Sequence, residues 1–109
     1  MAYNQITKIT IQNGERVPQA LTLGQDLNNV VFELPRICRA SDNEIVKSLL
    51  NKPYGDIGGE VILIWIPTVS VRYGVQILIL TSSLPDIAVY IRKQAGIGMW
   101  TQWKNLSLI

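Results

Sequence analysis

The sequence contains no histidine, one cysteine and one phenylalanine, and charged residues make up only 17% of its 109 positions. Each shortage excludes something. Without histidine the commonest general acid/base is missing, and Cys38 alone cannot complete the usual zinc or copper ligand sets. No metal and no cofactor is therefore expected, and most enzyme classes become poor candidates. A single cysteine cannot form an internal disulfide, so Cys38 reads as a small buried hydrophobe. Ten basic residues against eight acidic ones leave a net charge of +2, which demands neither nucleic acid nor an anionic membrane as partner. The longest apolar run, "VILIWI" from Val61 to Ile66, is too short to cross a bilayer, and "MAYNQITKIT" lacks the apolar core of a secretory signal. A soluble chain without membrane insertion is expected.

What the chain does have is apolar bulk. Hydrophobic residues reach 48%, while the charged fraction falls below the usual value of about a quarter. One domain is the expectation at this length, with part of its apolar surface turned toward a partner. Asn13-Gly14 supplies the positive φ angles of a tight hairpin turn, and Pro18 then interrupts any ladder. Residues 1–24 accordingly read as an N-terminal arm or attachment segment, and 25–109 as the β domain. "VVFELPRICR" carries Pro35 and suits an edge strand or two short pieces. In "SDNEIVKSLLNKP", Ser41 and Glu44 have capping-box spacing, Ile45 and Leu49 lie one turn apart, and Pro53 blocks continuation, so a short helix competes with an ordered loop over 41–52.

From Glu60 onward the pattern predicts an antiparallel meander. The runs "EVILIWI", "VQILIL", "IAVYIRK" and "MWTQWKNL" are divided by turn residues in "DIGG", Tyr73-Gly74, "SSLPD" and "QAGIG". In "VILIWI" Val61, Leu63 and Trp65 project one way and Ile62, Ile64 and Ile66 the other, so both faces need cover. Either a second sheet layer or a neighbouring subunit must provide it. The expected fold is mainly β, a small antiparallel sheet or sandwich with one short helix.

Several stretches, taken in order, resemble the pyocin-knob type of domain found near the ends of phage tail fibres and of phage-tail-like bacteriocin fibres. They are "DLNNV" (Asp26 to Val30), "NKPYG" with "GGEVILIW", "YGVQILI", and "VYIRKQAGIGMWTQWKNLS", whose Arg92, Trp100, Trp103, Lys104 and Leu106 form the most specific part. The resemblance covers about three quarters of the chain, roughly Gln25 onward. It implies a homotrimer in a virion fibre that contributes to adsorption on the bacterial surface, made in the cytoplasm of the bacterial host and held to other virion or fibre proteins through residues 1–24. Related fibres can hold metal ions on their threefold axis through histidine; none is present here to do so.

The loops "NKPYGD", "SVRYG" and "SSLPD" are the expected host-facing contacts, with Tyr54, Asp56, Arg72, Tyr73 and Arg92 as candidate binding residues for a bacterial surface glycan. For the arginines, prevention of edge pairing competes with ligand contact. Trp65, Trp100 and Trp103 are read as structural, packing outweighing a stacking platform for sugars or bases. Trp100 and Trp103, three apart, would point to opposite faces of a regular strand, one plugging the core and the other a subunit boundary or the surface, unless a bulge or turn intervenes and lets both enter one layer. Asp42, Glu44, Asp56, Glu60 and Asp86 include enough carboxylates for glycoside cleavage but fit turns and caps better. No catalytic residue is assigned. A head fibre or capsid-decorating protein without receptor binding is the alternative to the receptor-binding fibre, and a glycan-cleaving enzyme a weaker third.

Overall fold

The computed structural model describes residues 19–81 and 87–106. One mixed sheet of six strands dominates, ordered β1 to β6 as in the sequence: β1 (Gln19–Ala20), β2 (Arg36–Ala40), β3 (Glu60–Ser70), β4 (Tyr73–Thr81), β5 (Ile87–Ala95) and β6 (Lys104–Asn105). β1 runs parallel to β2, and every other pair is antiparallel. The expected meander is present as β3, β4 and β5. β-branched residues fill these strands because their stiff side chains pack well on a pleated surface.

The helix, α1 (Asn43–Ser48), is short, and its cap is Asp42 rather than Ser41. Asp42 Oδ1 accepts from the amides of Glu44 at 2.8 Å and Ile45 at 3.4 Å, a carboxylate at the positive end of the helix. A 3-10 turn, Leu27–Asn29, is capped in the same way by Asp26. β2 begins only after Pro35, so "VVFELP" precedes the strand instead of belonging to it.

Alternation divides the sheet into two unlike faces. Val61, Leu63 and Trp65 of β3 and Leu78 and Leu80 of β4 point into a core completed by Leu21, Leu27, Val30, Val46, Leu49 and Tyr54 from the segments lying across that face. Cys38 and Ala40 of β2 join it. Gly74 lies against Trp65, where any Cβ would overlap the indole and the Ile66 carbonyl. The arm's expected boundary moves: β1 pairs with β2 and Leu21 is buried, so residues 19–24 belong to the body. The Asn13-Gly14 hairpin lies outside the described residues, as do "SSLPD" and Asp86.

No second sheet covers the other face among the described residues. The sandwich half of the expectation is thereby corrected to a single sheet.

Candidate functional site

Two arrangements on the sheet bear on function: a buried cation on the covered face and an uncovered aliphatic field on the other.

Arg92 lies on β5 opposite Gln76 of β4, and both side chains point inward. The guanidinium sits between two indoles, its Cζ 4.0 Å from the ring centre of Trp100 and 4.3 Å from that of Trp103. Desolvation by burial pulls its pKa down to about 10, the negative charge of Asp26 opposing that shift, so it stays cationic at neutral pH. The electron-rich faces of the two rings replace part of the lost hydration. Gln76, fully buried, completes the arrangement. Its Oε1 accepts from Arg92 Nε at 2.9 Å, and its Nε2 donates to the carbonyls of Leu27 at 2.7 Å and Val30 at 3.0 Å. The network thus fastens the 3-10 turn to the middle of the sheet.

The indoles reach the same cation because 101–103 are not regular strand: Trp100 bridges to Gln94, and pairing resumes only at β6. This corrects the expectation that Trp100 and Trp103 serve different layers. Trp100 also meets fully buried Trp65 edge-on, with centroids 6.2 Å apart and an interplanar angle of 68°. Trp65 Nε1 donates to Phe32 O at 2.7 Å and Trp103 Nε1 to Asn51 O at 2.9 Å, whereas Trp100 Nε1 and Arg92 Nη2 are buried without a hydrogen-bond partner among the described residues. The tryptophans close the fold near its C-terminal end.

The candidate binding residues divide accordingly. Arg92 is internal, and so is Tyr54, whose hydroxyl donates to Val46 O at 2.8 Å. Burial, with Tyr90 adding, pushes the Tyr54 phenol well above its ordinary pKa. Both assignments are corrected: a side chain enclosed by the core does not present itself to a surface glycan. Asp56, Arg72 and Tyr73 are exposed, but Asp56 precedes β3 whereas Arg72 lies in the β3–β4 turn at its other end and Tyr73 opens β4. Among the carboxylates weighed for cleavage, Asp42 caps α1 and Glu60 accepts from Thr81 Oγ1 at 3.2 Å. Among the described residues no group of three His, Cys, Asp or Glu side chains could hold a metal ion, and no helix is long and apolar enough to cross a membrane.

Gln76 and Gln94 carry structural roles that the sequence reading did not assign. Their signal was present: each is a polar residue in phase with the inward side chains of an otherwise apolar strand, which requires a buried partner.

The face that no second sheet covers among the described residues carries Ile37 of β2, Ile62, Ile64 and Ile66 of β3, Val75, Ile77 and Ile79 of β4, and Val89 and Ile91 of β5. Ile37, Ile64, Ile77 and Ile91 stand in register as one row across four strands. Ile37 is 48% exposed and Ile66 39%, large values for aliphatic side chains on a sheet. Comparison with protein-family models, curated proteins and solved structures finds no match.

Proposed function

We propose that this chain is a structural and host-receptor-binding module of a bacteriophage or phage-like fibre, working as a homotrimer on the virion and catalysing no reaction. The observation that carries the reading is the uncovered isoleucine and valine face. Full burial of one such side chain contributes about 1.5–3 kcal/mol, so leaving a row of them partly in water forgoes some of that stabilisation and invites uncontrolled association. Copies of the same chain are the fitting cover. Each brings the same flat aliphatic field, and three sheets facing a common axis bury all three fields at once, with Arg39 and Lys93 left at the rim. The resemblance of the closing Arg92, Trp100, Trp103 segment to fibre knobs supports that number, and the clamp it forms gives the fibre body a rigid wall.

Residues ahead of Gln19 hold the module to other virion proteins, while loops at the sheet ends meet the bacterium, a surface glycan among the candidate ligands. Repetition over three copies turns weak single contacts into useful avidity. Adsorption tests this directly. Purified protein should co-sediment with host cells and compete with intact particles for them; absence of adsorption, together with antibody labelling confined to the capsid, would replace the reading with a head-fibre or decorating role.

A further inference from the structure

The turns at one end of the sheet form a single built tip. Gly96 N donates to Arg72 O at 2.9 Å, tying the turn after β5 to the β3–β4 turn. Gln94, only 4% exposed, bridges the same two turns from beneath: its Nε2 donates to Val71 O at 2.8 Å and its Oε1 accepts from Gly98 N at 3.2 Å. Met99 N donates to Gly96 O and Ala95 N to Met99 O, closing the second turn on itself. Gly96 and Gly98 take the positive φ angles this turn needs.

On this braced base stand side chains that solvent does not favour. Val69 is 80% exposed, Ile97 71% and Met99 65%, with Tyr73 beside them. The two turns themselves carry charges of one sign, while the exposed Glu33 precedes β2 at this end of the sheet. Arg72 and Lys93 are exposed, and neither 66–76 nor 92–104 contains an Asp or Glu. Asp42, Glu44 and Glu60 lie at the opposite end of the sheet, where α1 follows β2 and β3 begins. A net charge of +2 therefore conceals an apolar, basic tip.

We infer that this tip docks on an anionic lipid surface, the apolar side chains entering the interface while Arg72 and Lys93 meet lipid phosphates. The tip is a pair of protruding turns rather than a groove, which suits a fluid interface that can close around Val69, Ile97 and Met99. Tyrosine is a residue type that prefers the headgroup level, and each basic side chain near an anionic surface contributes about 1 kcal/mol, or roughly fivefold in partition. The inference deepens the adsorption reading, rests on it for biological context, and draws avidity from three tips at one end of a trimer.

The test is flotation of the full chain with vesicles of phosphatidylcholine alone and of phosphatidylcholine mixed with phosphatidylglycerol, in parallel with adsorption to whole cells. Binding is expected to the anionic vesicles only and to weaken as salt rises. Arg72→Gln should weaken it about fivefold. A double variant, Ile97→Asp with Met99→Asp, should abolish it, whereas Ile57→Asp, away from the tip, should bind as the parent does. Equal binding to both vesicle types, no binding to either, or full binding by the double variant would overturn the assignment. Cell adsorption without vesicle binding would remove the lipid and leave the adsorption reading standing; vesicle binding without cell adsorption would do the reverse.

Discussion

Gln76 and Arg92 face each other across β4 and β5, and the 2.9 Å bond from Arg92 Nε to Gln76 Oε1 joins the central sheet to the two closing tryptophans on one side and to the Leu27–Asn29 turn on the other. A buried amide between a cation and two main-chain carbonyls leaves little freedom to any of them. Replacement by an apolar residue strands the remaining partners. Gln76→Leu should therefore destabilise the protein by about 2–4 kcal/mol in urea denaturation, well above the cost of a surface substitution.

The indoles differ in what their N–H groups do. Trp103→Phe removes the donor to Asn51 O and should cost about 1 kcal/mol more than the same change at Trp100, whose Nε1 donates to no described residue. Thermal denaturation of the two variants side by side measures the difference, and equal losses would show that the bond to Asn51 contributes nothing.

Gly74 is fixed by contact rather than by dihedral angle. The Cβ of alanine would collide with Trp65 and with the Ile66 carbonyl, neither of which is the free end of a flexible chain. Gly74→Ala should destabilise by about 1–3 kcal/mol and disturb the near-ultraviolet signal of the tryptophans.

Tyr54 predicts behaviour at high pH. Its folded-state pKa is raised, so the unfolded chain loses the phenolic proton first, and stability falls as pH climbs past about 10, the ordinary tyrosine value. Arg92, with its pKa lowered to about 10, acts in the opposite sense over the same window. The difference between parent and Tyr54→Phe isolates the phenol: the parent should lose stability more steeply above pH 10, and parallel curves would contradict the burial of the phenol.

Much of this architecture was legible from residue order. The alternation in "VILIWI" and "VQILIL" announces strands with two apolar sides, and "QAGIG" marks the turn after β5, whereas Tyr73-Gly74, read as a break, opens β4 and the β3–β4 turn falls at Val71 and Arg72. Less legible were features that depend on distant partners. Asp42 rather than Ser41 caps α1 because the helix begins one residue later than the capping-box spacing suggested, a local choice between two competent caps. Arg92 reads as a surface cation until Trp100 and Trp103 are brought over it by an irregular stretch that no strand periodicity describes. Tyr54 sits in a polar loop segment, yet that loop folds back on α1 and takes the ring inside. The tip was hidden for a related reason: its two turns are far apart in sequence and meet through Gln94 and the bond from Gly96 N to Arg72 O.

Light scattering on the parent chain and on Ile77→Lys, a change at the centre of the uncovered isoleucine row, tests the central claim most directly. Three copies for the parent and a folded single copy for the variant are the predicted results. A parent that remains monomeric across the accessible concentration range would contradict the account.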